Sequence, residues 1–102
     1  MQLYTTDFIT GKNITTIGMV KGAAVQTKHV GKDFVASFKK IAGGEVSEYS
    51  QMLEESQAKA TLNLINEAQR LGADAVVGIR YSIASLEGSS MTLAAGTAVK
   101  VV

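Results

Sequence analysis

His29 is the only imidazole in this chain, and it stands four residues ahead of Asp33. On one helix that spacing would put both side chains on one face, where they could hold a divalent cation. Glu45 and Glu48 flank the start of the longest helical pattern. They could meet a cation there, or simply place negative charge where a helix dipole favours it. His29, Asp33, Glu45 and Glu48 are the candidate metal ligands. They are few for that chemistry. Tight zinc or copper sites gather several thiolates or imidazoles at fixed spacing, and this chain has no cysteine. The helix holding Asp33 is predicted to begin near Lys32, so His29 need not share its face.

Catalytic patterns are thinner still. Ser47, Ser50 and Ser56 have no histidine at an informative spacing. Glu54 and Glu55 are adjacent, and adjacent helical residues point apart. The glycine-rich phrase "GGEVSEY" lacks the lysine a phosphate-binding loop requires. No catalytic residue is assigned, and an enzyme is the disfavoured reading. A small-ligand site has more to draw on. Tyr49, Arg80, Tyr81 and Lys100 could line a cleft between subunits, although both tyrosines also read as half-buried core residues with hydroxyls at its edge. Asp74, in "RLGADAVVGIR", sits where a helix gives way to a strand. Its short carboxylate suits a turn, bonding nearby backbone amides.

Charge excludes other classes. Residues 1–40 hold six lysines and two aspartates, while residues 41–102 hold four basic and seven acidic residues; the whole is +1. Lys21, Lys28, Lys32, Lys39 and Lys40 cluster with Phe34 and Phe38, but the spacing makes those rings core residues. A solvated lysine face is the expectation, and nucleic acid is disfavoured. No apolar run approaches a membrane span, and "MQLYTTDFITGK" carries no basic region followed by an apolar one. A soluble cytoplasmic protein is expected.

The elements that must position these residues follow from periodicity. Residues 3–9 suit a short strand ending in a turn at "TGKN". Residues 14–26 suit a strand bent at Gly18 or Gly22. Phe34, Phe38 and Ile41 mark one face of a short helix over 32–42. A long helix is predicted from Ser47, its N-cap, to about Leu71, striped by Tyr49, Leu53, Ala60, Leu64, Ala68 and Leu71 and widened by Met52, Thr61 and Ile65. Glu55 and Lys59 have the i, i+4 order that favours an ion pair. Gly72 fits the left-handed position that ends a helix.

The period then changes to two. Ala75, Val77, Ile79, Tyr81 and Ile83 alternate on one strand; after a turn at "EGSS", Met91, Leu93, Ala95, Thr97, Val99 and Val101 alternate on the next. This hairpin is expected to place its large face under the long helix. The opposite face is small and nearly uncharged. Gly78, Ala94, Gly96 and Ala98 are therefore the expected interface residues, packed by the chain's own N-terminal segment or by another subunit. The fold class is two-layer α+β: an antiparallel sheet with one long and one short helix on one face, as a single domain over 1–102.

The phrases "AGGEVSEY", "RLGADAVVGI" and "GTAVK", in that order around the long helix, resemble the YbjQ-like family of small bacterial proteins, often labelled "putative heavy-metal-binding domain". The resemblance spans essentially the whole chain. It implies a dodecin-like subunit and a homo-oligomer, with pentameric rings as the family's assembly. It implies no reaction. A divalent metal ion or a small ligand held at subunit interfaces is the cofactor or partner it brings into view, with the identity unknown.

Overall fold

A computed structural model of the chain describes residues 1–27, 48–86 and 88–102, apart from the side chains of Glu48, Tyr49 and Leu86. The expected short helix over 32–42, with His29, Asp33 and Glu45, lies outside these residues. The described elements are β1 (Gln2–Leu3), β2 (Ile14–Thr27), α1 (Glu48–Arg70), β3 (Ala75–Leu86) and β4 (Ser89–Val101). They form one four-stranded sheet in the order β1-β3-β4-β2. The β3–β4 hairpin and the β2–β4 pair are antiparallel, but β1 joins β3 in parallel. The sheet is thus mixed. The expected strand over 3–9 is reduced to Gln2–Leu3, because the chain then bends to send backbone bonds to the β3 bulge: Gly78 N donates to Thr6 O at 2.8 Å and Ile79 N to Tyr4 O at 3.1 Å.

α1 lies across β2 and β4. Its buried row is Met52, Ser56, Ala60, Leu64 and Ala68, spaced by four. Small side chains on the strands let it come close. A Cβ on Gly22 would strike the Ala60 carbonyl and the Leu64 amide, so only glycine fits there. Val20, Ala24, Val76, Ile79, Ala94 and Ala98 complete the core beneath the helix. The helix ends as its sequence predicts. Gly72 has φ +78°, Gly72 N donates to Gln69 O at 3.0 Å and Ala73 N to Ala68 O at 3.0 Å, the paired bonds of a Schellman stop.

This packing reverses the expected faces in part. On β4, and on β3 before its bulge, the small face, not the large one, lies under the helix, while beyond the bulge Ile79 and Tyr81 of the expected large face turn toward it. Ala94 and Ala98 are fully buried within the single chain, so neither side chain is free to meet another subunit. A Cβ on Gly96 would press on Val76 and Ile79 of the same chain, and one on Gly78 would press on Asp7. The four expected interface residues are internal contacts. Two bulges explain much of the reversal. Val77 pairs with Thr97 and Arg80 with Ala95, so Gly78 and Ile79 together face the single residue Gly96. Gly78, at φ +63°, supplies the left-handed backbone such a bulge needs. The parity of β3 therefore switches midway. Ala75 and Val77 turn to the outer face with Val99, against Tyr4, Ile9 and Ile14 of the N-terminal segment, while Ile79 joins the helix-side core. A second register shift, between Thr16 and Gly18, sits beside one of the two glycines expected to bend β2.

Candidate functional site

Three of the four candidate ligand-lining residues carry structural bonds, and they do not converge. Arg80 Nη1 donates to Thr5 O at 2.8 Å and Ile79 O at 2.9 Å, tying the N-terminal segment to the β3 bulge. The Tyr81 hydroxyl lies 2.7 Å from Thr61 Oγ1, linking β3 to α1. Lys100 Nζ donates to Gly72 O at 3.2 Å and meets Asp74 Oδ1 at 3.4 Å. Tyr49 falls on α1, its side chain outside the described residues; the same holds for Glu48.

Asp74 closes the helix-to-strand joint. Its Oδ2 accepts the Val101 amide at 2.8 Å, and its own amide donates to Val99 O at 2.9 Å. The expected bond within its own turn is replaced by one to the end of β4. The Val101 amide, opposed by desolvation and aided by Lys100, holds the Asp74 carboxyl below its usual value.

The sequence reading missed a polar cluster between the N-terminal half of α1 and the far ends of β2 and β4. Ser56 Oγ lies 2.8 Å from Thr92 Oγ1 and 3.3 Å from Ala24 O. Next to them Gln26, Gln51 and Ser90 are also buried. Gln51 Oε1, Glu55 Oε2 and Ser90 Oγ are sealed from solvent with no hydrogen-bond partner. Leaving such a group unpaired costs about 1–3 kcal/mol. The signal was present in the alternation. Gln26, Ser90 and Thr92 stand at inward positions where a plain core would place apolar residues.

The outer face of the sheet is the opposite case. Met19 is 73%, Val25 58%, Met91 43% and Leu93 40% exposed. Val25 pairs with Met91, and Ala23 with Leu93, so these side chains form an apolar strip; Met19, paired with Thr97, lies beyond Lys21 on the same face. Beside it a cleft of about 510 Å³ runs along the β2 edge, lined by Lys21, Gly22, Ala23, Asn63, Glu67 and Leu93.

Among the described residues the donors do not assemble a heavy-metal centre; His29, Asp33 and Glu45 lie outside them. The sequence contains no thiolate. Among the described residues no three histidine, aspartate or glutamate side chains group together. Among the described residues no helix is long and apolar enough to cross a membrane.

A family model described as "Putative heavy-metal-binding", that of the YbjQ family, matches residues 1–102. Relatives carry the name UPF0145 protein. One from Clostridium novyi is 47% identical over 102 residues, covering 99% of both chains. Another from Methanosarcina acetivorans is 46% identical, covering 99% of this chain and 97% of its own. A crystal structure of a DUF74-family protein of unknown function from Pediococcus pentosaceus superposes with a TM-score of 0.69, covering 100% of this chain and 98% of that one. At 14% identity, that is a likeness of fold.

Proposed function

The chain belongs to the YbjQ family, and from the uncovered outer face of its sheet we propose that it works as a self-assembling, non-enzymatic cytoplasmic protein whose subunits, dodecin-like, close into a ring. The observation that carries this reading is the exposed apolar strip of Val25, Met91 and Leu93, with Met19 exposed on the same face beyond Lys21. Large exposed apolar side chains in a continuous patch mark an interaction surface. A second copy of this chain is the occupant. The sheet has two different edges among its described strands, β2, whose Ala23 carbonyl accepts the Asn63 side chain, and the part of β3 beyond β1. Pairing one edge with the other on the next copy is a head-to-tail contact, and such contacts generate rings when the rotation closes. A pentamer is the closure that the family resemblance favours.

A carrier of a metal ion or small ligand, with sites between subunits, is the alternative. It draws on the description attached to the family and on the β2-edge cleft, where Lys21 and Glu67 bring opposite charges to one opening. A ring repeats each residue around its axis, so even a few donors could meet there.

Light scattering on Val25→Lys/Leu93→Lys tests the assembly. Both side chains are exposed in the single chain, so the fold should survive while the assembly dissociates. A ring that persists in a folded double variant would sink this assignment of the interface.

A further inference from the structure

The unpartnered oxygens stand on the first half of α1 and on the end of β4 that the register places beneath it. α1 runs antiparallel to β2, with Ala60–Leu64 over Gly22 and Ser56 beside Ala24 and Thr92. Two residues farther along these strands stand Gln26 and Ser90, which are direct partners. About 6.7 Å of strand matches a little more than one helical turn, which brings in Gln51, Met52 and Glu55. Gln26 and Glu55 line one cleft of about 490 Å³ with Ala58, Lys59 and Leu62. Gln51 is 5% and Ser90 0% exposed, and neither Gln51 Oε1 nor Ser90 Oγ has a partner. Glu55 adds a buried, unpartnered carboxylate oxygen. Lys59 is one turn away, yet the expected Glu55–Lys59 ion pair does not form; the ion pairs among the described residues are Arg70–Glu67 and Lys100–Asp74.

We propose that Gln51, Glu55 and Ser90 form a site for a small cation, taken up through oxygen donors. Two of the three orphaned atoms can only accept, and the third, a hydroxyl, can accept as well. One carries negative charge. An occupant must therefore donate hydrogen bonds or bring positive charge, and an anion is excluded. A hard divalent metal ion and an ammonium group share this chemistry. All three residues belong to one chain, so the site is independent of the assembly proposed above.

Calorimetric titration of the metal-free chain with Mg²⁺, Ca²⁺, Mn²⁺ and, separately, methylammonium tests it on wild type, Glu55→Gln and Ser90→Ala. Heats with a metal ion but not with methylammonium assign the site to the ion; the reverse assigns it to an amine. One cation per chain is expected, weakened about tenfold or more by the isosteric Glu55→Gln change. Ser90→Ala should leave the protein folded and reduce the rise in Tm that the cation produces. Failure of every probe to bind wild type at millimolar concentration, as for a pocket holding only a bridging water, overturns the proposal. Binding undiminished in Glu55→Gln overturns it too. Loss of assembly with binding intact would strike the ring reading and leave this site standing.

Discussion

At Asp74 one carboxylate oxygen accepts the Val101 amide while the other faces Lys100, whose ammonium also reaches the Gly72 carbonyl. One acid thus joins the helix stop to the last strand. Its folded carboxyl titrates below the usual 3.8. A group lowered in this way contributes stability that is fully present above the unfolded value and is lost as pH falls through the folded one. Asp74→Asn removes that contribution. In urea denaturation followed against pH, the variant should be the weaker protein at neutral pH, and the gap should shrink as the medium is acidified below 3.8. A gap independent of pH would separate the carboxylate charge from the joint. At this scale the sequence was partly readable. A short acid after a helix-ending glycine signals a joint, but the bond to Val101 spans 27 positions, and no local pattern encodes such a partner. Arg80 and Lys100 were legible as unusual charges on their strands. Their backbone carbonyl partners were not, because those exist only once the N-terminal segment and the helix end are in place.

Elements show most clearly what periodicity can carry. The long helix, its stop at Gly72, the hairpin and the irregularity beside Gly18 all follow from spacing and glycine placement. The facing of the sheet does not. Alternation counts residues, and a bulge at Gly78–Ile79 adds one without changing the apparent pattern. The choice of the large face as the buried one rested on size; it holds for Ile79 and Tyr81 on β3 beyond the bulge, but on β4 the helix takes the small face, which lets its backbone come close. Gly22 is the contact where this is tightest, against Ala60 and Leu64. Gly22→Ala should therefore destabilise the protein by about 1–3 kcal/mol, the usual range for overpacking a close contact, as read by chemical denaturation. An unchanged midpoint would mean that helix and strand separate readily there. The polar cluster around Ser56 escaped notice for a related reason. Its members come from three elements, and their burial becomes visible only when the helix is laid over the strands.

For the molecule as a whole, the two faces of the sheet divide the work. The helix side is dense with small residues and closes the core of a single chain. The outer side leaves Met19, Val25, Met91 and Leu93 uncovered, an arrangement that suits a surface meant for another copy. In the assembly we propose, a second chain would bury the large side chains that the size pattern had placed under the helix. Native mass spectrometry of untagged protein tests the assembly most directly. A single closed species at five times the subunit mass is the predicted result, and a monomer persisting at micromolar concentration would contradict it.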